Sequence, residues 1–312
     1  MKPIIYTSRL SKHHDTGHNH PESVARIEAL ETLFDAPPFD EWVKKTGVAA
    51  TQDQIHLAHD EEYVYNLLNF APNTELLAID GDTILSNGSF DAALHAAGAV
   101  CYAVDDILAK VANRAFVAVR PPGHHAEPHM AMGFCLFNNI FIGARHAQEK
   151  YGLERIAIVD FDVHHGNGTE TMAYRHNGKG GKPPIMYAST HGYPLFPMTG
   201  DPRDNGETLF NVRLEHDFGS DEFRYAYEDE IFPALRRFKP DLMMLSAGFD
   251  AHINDPLAQA RLQTEDYEWL TKKLCGIADT YAQGRIMSVL EGGYDIPTLQ
   301  ECVTTHLKAL DS

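Results

Sequence analysis

Cysteine is scarce in this sequence and badly spaced for pairing. Cys101, Cys135, Cys275 and Cys302 are the only four in 312 residues, and no two form a C-x-x-C pair. That argues against a disulfide framework and against a cysteine-built structural zinc site. Cationic side chains are also in short supply, with 26 Lys and Arg against 44 Asp and Glu and a net charge of −18. Neutralising phosphates takes clustered Lys and Arg, so no direct nucleic-acid partner is expected. The acidic balance would suit a basic substrate, but it is read first as a route to solubility. Long apolar runs are missing as well. None could span a bilayer, and Arg9, Lys12, His13, His14 and Asp15 break up any signal-like run after Met1. A cytoplasmic protein without membrane partners is expected. There is no G-x-S-x-G elbow, P-loop or dinucleotide fingerprint, which leaves serine-nucleophile, phosphoryl-transfer and hydride-transfer chemistry without support.

Histidine is what the chain has in plenty, at eighteen residues. Its imidazole both titrates near neutrality and binds metals. Hydrophobic residues at 44% and charged residues at 22% describe an ordinary globular chain, and no repeat or linker divides it. A single domain over residues 1–312 is expected. Short apolar runs at Ile4–Thr7, Phe116–Val119, Ile156–Val159, Ile185–Ala188, Leu242–Leu245 and Ile286–Leu290 read as strands buried on both faces. Helical patterns lie between them: one from Pro21 with Val24, Ile27, Leu30 and Phe34 on a stripe, others over Ser89–Val111 and Asn139–Tyr151, and two starting at Ser220 and Thr264. Arg175–Pro184 reads as a surface loop. Alternating β and α elements predict a doubly wound parallel sheet.

Polar residues cluster where those runs end. FVAV leads into His124-His125, IAIV into Asp160, Asp162, His164 and His165, and IMYA into Ser189 and His191. MMLS leads into Asp250 and His252, and IMSVL into Glu291-Gly-Gly-Tyr294. Ligand sites of open α/β sheets form at the carboxyl ends of strands, so five such ends suggest an active site. Asp162 and His164, two apart at a strand end, could ligate one ion, with Asp250 as a third ligand and a position left open for water. Taken alone, Asp162 could equally cap a turn and His164 be an ordinary buried histidine. His124 and His125 follow Pro121-Pro122-Gly123, a rigid turn, and could act as base and electrostatic partner, with Asp160 fixing one tautomer. Alone they would read as loop histidines. Tyr294 could donate to an oxyanion, or be a boundary aromatic. Cys135 has an apolar setting that should keep it inert. These parts describe metal-assisted hydrolysis of an amide or ester.

Set side by side, HPESVARIEAL, RPPGHHAE, GFCLFNN, DFDVHHGNGTE, SAGFDAH-x-x-DPL and EGGY resemble the zinc-dependent histone deacetylase family, including its bacterial deacetylase-like and acetylpolyamine amidohydrolase members. The resemblance runs from about His20 to Tyr294. It implies the arginase/deacetylase fold, with a central, mainly parallel eight-stranded sheet and helices on both faces. It implies Asp162, His164 and Asp250 as zinc ligands, with iron(II) the alternative metal. His125 would be the general base, His124 its electrostatic partner and Tyr294 the transition-state donor. Phe134 and Phe196 would sandwich an acyl-lysine stem, with Gly133 beside them. Asp160 and Ser189 would hold a structural monovalent cation, potassium by resemblance, and Arg26 would line a cavity beneath the metal. His165 and His191 match histidines outside the metal's ligand set. His13, His14, His18 and His20 read as a polar loop at the pocket rim rather than a second metal site.

Asn167, the HPE-x-x-x-R opening and GNGT resemble class II members. Leu257 stands where polyamine-selective relatives carry glutamate, which tilts the substrate towards acyl-lysine in a peptide or protein and away from a small N-acyl amine. Met198 departs from the usual glycine. No appended regulatory domain is expected, and a homo-oligomer is left open. A catalytically silent acyl-lysine binding module and a di-manganese ureohydrolase are the competing expectations.

Overall fold

The computed structural model describes residues 2–70, 75–178 and 182–312. Its strands are β1 (Ile4–Thr7), β2 (Lys44–Thr46), β3 (Leu77–Ala78), β4 (Ile84–Leu85), β5 (Arg114–Ala118), β6 (Ile156–Asp160), β7 (Ile185–Tyr193), β8 (Leu209–Glu215), β9 (Leu242–Ala247) and β10 (Ile286–Leu290). Its α-helices are α1 (Val24–Phe34), α2 (Gln52–Ile55), α3 (Glu61–Phe70), α4 (Ser89–Leu108), α5 (Asn139–Tyr151), α6 (Asn167–Asn177), α7 (Ser220–Ala226), α8 (Phe232–Phe238), α9 (Thr264–Tyr281) and α10 (Ile296–Leu310).

Eight strands form one sheet in the order β2-β1-β5-β10-β9-β6-β7-β8, while β3 and β4 make a separate hairpin. All seven neighbouring pairs in the large sheet are parallel, so the expected sheet is present and wholly parallel. Alternate strand residues feed two cores. Phe116, Val159 and Leu245 pack with α1 and α7–α10, while Val117, Ile158 and Met244 pack with α4–α6. Burial on both faces is why the central strands read as unbroken apolar runs.

Several boundaries differ from the sequence reading. The first helix starts at Val24 with Ser23 at its N-cap, so Pro21 lies outside it. The long helix ends at Leu108, because Lys110 turns to φ +61. The strand starting at Ile185 continues to Tyr193, and Arg175–Asn177 finish α6 instead of belonging to a loop. Lys179–Gly181 of that expected loop lie outside the described residues. The edge strands β2 and β8 went unpredicted because β2 (KKT) has no apolar residue and β8 (LFNVRLE) interleaves Asn, Arg and Glu with its apolar residues, as edges facing water do. Among the described residues, no helix is long and apolar enough to cross a membrane.

Candidate active site

The polar motifs follow β5, β6, β9 and β10 or, for Ser189 and His191, lie in the last half of β7, and these are five consecutive strands of the sheet. Their carboxyl ends lie on one edge, where the parallel arrangement places every following loop. Asp162, His164 and Asp250 meet there, with one ligand atom from each lying within 4.8 Å of the others, and all three are buried. His164 Nδ1 stands 3.1 Å from Asp162 Oδ1 and 3.0 Å from Asp250 Oδ2.

The sequence reading put Asp162 and His164 at a strand end, but β6 stops at Asp160 and both lie in the loop beyond. Main-chain hydrogen bonds set their convergence instead of strand alternation. Val163 N donates to Asp250 Oδ1 at 2.9 Å, His164 N to Asp162 Oδ1 at 2.9 Å, and Gly292 N to Asp162 Oδ2 at 2.8 Å. The cradle is tight. A Cβ on Gly248 would come 2.1 Å from Asp162 Oδ2, and one on Gly292 would come 2.1 Å from Asp250 Oδ2.

These donors fit a divalent cation. Two buried carboxylates balance its charge, and an imidazole completes a three-ligand set of the kind catalytic zinc uses. Without a cation the groups compensate each other. Burial and the charge of Asp162 push the Asp250 carboxyl up to about 7. Burial would depress His164, but its bonds to both carboxylates raise it to about 10. A cation must therefore displace a proton from this cluster.

The tandem histidines stand beside it, their ring centroids 4.0 Å apart. His124 Nδ1 is 3.0 Å from Asp160 Oδ2, as expected, and its Nε2 is 3.9 Å from Asp162 Oδ2. His125 Nδ1 is 2.9 Å from Asn167 Oδ1, a neutral partner. The two rings are driven apart in basicity. Burial lowers both, but Asp160, Asp162 and Glu291 raise His124 to about 10. For His125, burial and the charges of His124 and His164 hold the ring well below its ordinary value. Paired groups with opposed shifts are the usual mark of divided acid–base roles.

Aromatic rings frame the site. Phe196 lies 5.1 Å from the His125 ring and 6.5 Å from His164, edge-on to both. Phe134 packs edge-on to Tyr294 at 5.9 Å and to His20 at 4.8 Å. Gly133 adopts φ +56, and a Cβ there would come 2.5 Å from the His125 ring, so only glycine suits this close approach. Arg26 is buried with its guanidinium 5.0 Å from the Tyr294 ring, and its Nε donates to Gly293 O at 2.7 Å. Asp160 also accepts from Tyr187 Oη at 3.1 Å and pairs in register with Ser189 on β7. Leu257 is partly buried, and its N–H bonds Asp255.

His165 and His191 lie outside the triad. His165 bonds Thr199 and Asn211, and His191 bonds Ser189 and the Gly200 carbonyl. His14 departs from the expected rim loop, because it is buried against Ser89 and beside Glu22, whereas His20 bonds the Asp82 carbonyl and His13 and His18 are exposed. They form no metal-binding group among the described residues. Cys135 is buried, and burial holds its thiol well above its ordinary pKa.

Two carboxylates were missed. Glu291 Oε2 accepts from Gly123 N at 2.7 Å and His124 N at 3.2 Å, while its Oε1 accepts from Ser246 Oγ. It holds the turn that aims both histidines. Asp255 accepts from Tyr294 N at 2.7 Å as well as from Leu257 N, tying that loop to the tyrosine. The available signal was an acidic residue directly after a buried strand, read only for its neighbour Tyr294.

A buried Asp-His-Asp triad beside two oppositely tuned histidines is the equipment of a hydrolase that works with a metal. Residues 20–310 match the histone deacetylase domain, and the chain belongs to the histone deacetylase family. It is 40% identical over 318 residues to an uncharacterized protein of Synechocystis, covering 99% of each chain. It is 37% identical to histone deacetylase 14, chloroplastic, of Arabidopsis thaliana, over 94% of this chain and 74% of that one. The crystal structure of the HDA15 HD domain superposes with a TM-score of 0.90 at 27% identity, covering 98% of this chain and 90% of that one. The fold is thus the arginase/deacetylase fold.

Proposed function

We propose that this chain is a zinc-dependent deacetylase acting on the amide of N-acyl-lysine side chains in peptides or proteins. Asp162, His164 and Asp250 would hold the zinc. When bound there, the ion would polarise the amide carbonyl and make a water molecule more acidic. The reading rests above all on the two adjacent histidines, one bonded to Asp160 and the other to Asn167, standing against that triad.

His125 is the general base. Its Nδ1–H is committed to Asn167, and its depressed basicity leaves Nε2 free to take a proton from water. As the C–N bond breaks, the water oxygen stays on the acyl carbon and the proton passes to the lysine nitrogen. His124, cationic against Asp160, favours the negative charge that builds up between. Tyr294 keeps its phenolic proton, because burial and then Asp250 and Asp162 push it well above its ordinary pKa. It donates to the developing oxyanion. Phe134, Phe196 and Gly133 contact the acyl-lysine stem, and Leu257 offers a distal ammonium no carboxylate. Asp160 and Ser189 hold a monovalent cation, potassium, and Arg26 lines a cavity beneath the metal. A cytoplasmic setting is proposed on the same terms.

An acetyl-lysine peptide and acetylputrescine, assayed on one zinc-loaded preparation, test the substrate class. The peptide should show the larger kcat/KM. A much larger value for acetylputrescine would assign the site to small N-acyl amines, and turnover of neither would favour a binding module.

A further inference from the structure

The negative charge is unevenly spread. Between Lys45 and Lys110 the sequence holds no Lys or Arg and ten Asp and Glu residues. This stretch builds α2, α3, the β3–β4 hairpin and all of α4. It borders the candidate active site, because Thr83 of the hairpin loop accepts from Phe134 N at 3.1 Å. Within it lies a groove of about 460 Å³, floored by Leu67, Phe70, Leu77, Ile79, Leu85 and Met130. Phe70, Leu77, Ile79 and Met130 remain 64%, 39%, 40% and 44% exposed. Such contiguous apolar exposure beside an active site marks a contact surface.

The groove's rim is acidic. Asp60 and Glu62 line it, and Glu75 is exposed two residues before β3. Among the described residues, no Lys or Arg pairs with any of these three. Ala131, in its wall, precedes Gly133 and Phe134 by two and three residues, so groove and candidate stem site share one loop. An apolar floor under an unpaired acidic rim complements a segment that is apolar and cationic together. A free polyamine supplies the charge but cannot cover the floor.

We propose that this groove receives the polypeptide flanking the acyl-lysine, and selects an apolar side chain accompanied by Lys or Arg. The proposal rests on the acyl-lysine reading above. It makes the hairpin and α3 a specificity surface separate from the reacting atoms.

The test uses the zinc-loaded full chain and acetyl-lysine peptides that differ only in their flanks, Leu with Arg against Gly with Glu. The ratio of their kcat/KM values, taken on one preparation, does not depend on the fraction of folded enzyme. Burying one apolar side chain and satisfying one rim charge predict a ratio of about tenfold or more. Glu62→Lys and Leu77→Asp should each reduce that ratio towards one, and added salt should reduce the Glu62 contribution. Equal turnover of both peptides by the wild type would overturn the groove proposal while leaving the acyl-lysine reading intact. Turnover of acetylputrescine with neither peptide cleaved would overturn the acyl-lysine reading itself. A dimer in sedimentation velocity that Leu77→Asp dissociates would assign the groove to a second copy and overturn the proposal.

Discussion

His124 and His125 are neighbours in sequence, yet one meets a carboxylate and the other an amide oxygen. That difference in the charge of one partner underlies the roles proposed for them. Asn167→Asp would place a negative charge on His125 Nδ1 and favour the imidazolium. The acid limb of the kcat/KM profile should then move up in pH, by about one unit or more. An unmoved or lowered limb would contradict His125 as base. Tyr294→Phe should keep the metal and lose about 10²–10³ in kcat, the usual loss for one oxyanion donor. Metal content by elemental analysis and steady-state rates check both halves. At this scale the motifs carry the candidate reacting side chains and only part of what orients them. Asn167 and Asp160 were readable because they belong to the motifs, whereas Glu291 was not, because its work is done on the backbone of residues far away in sequence.

The strands act by where they stop. β5, β6, β7, β9 and β10 were legible as apolar runs since both faces are buried, and their ends indicated the site. The polar edge strands β2 and β8 carry no such signature. Nor does spacing in sequence explain how Asp162 and His164 converge, since both lie past the strand and depend on hydrogen bonds from Val163, His164 and Gly292. The loops after β9 and β10 must approach closely, which is why Gly248 and Gly292 stand where they do. Gly292→Ala would set a methyl 2.1 Å from Asp250 Oδ2. The backbone must yield, and the variant should purify with less bound metal than wild type while keeping its far-ultraviolet circular dichroism. Full metal content would show that the cradle tolerates a side chain.

Across the whole molecule, one buried charge network ties α1 to the segment after β5. Glu22 is buried between Arg26 and Arg120, with His14 Nε2 at 3.5 Å. Burial alone would raise its carboxyl, but Arg120, His14 and Arg26 bring it down from 4.5 to about 2. A depressed carboxylate contributes stability that is fully present above its unfolded value and is lost as pH falls through the folded one. Thermal midpoints should therefore begin to drop below about pH 4.5 and fall steeply towards pH 2, as protonation leaves two buried arginines unpaired. Glu22→Gln should start with a lower midpoint and show a flatter dependence over that range. A wild-type midpoint unchanged to pH 3 would contradict the network's role.

The central claim is that Asp162, His164 and Asp250 hold the metal for amide hydrolysis of acyl-lysine. It is met most directly by following acetyl-lysine peptide turnover by mass spectrometry through chelation and zinc replacement, in wild type and in Asp250→Ala. The predicted result is turnover that chelation abolishes and one equivalent of zinc per chain restores in wild type, with none recovered in Asp250→Ala. Turnover that survives chelation, or that Asp250→Ala retains, would contradict it.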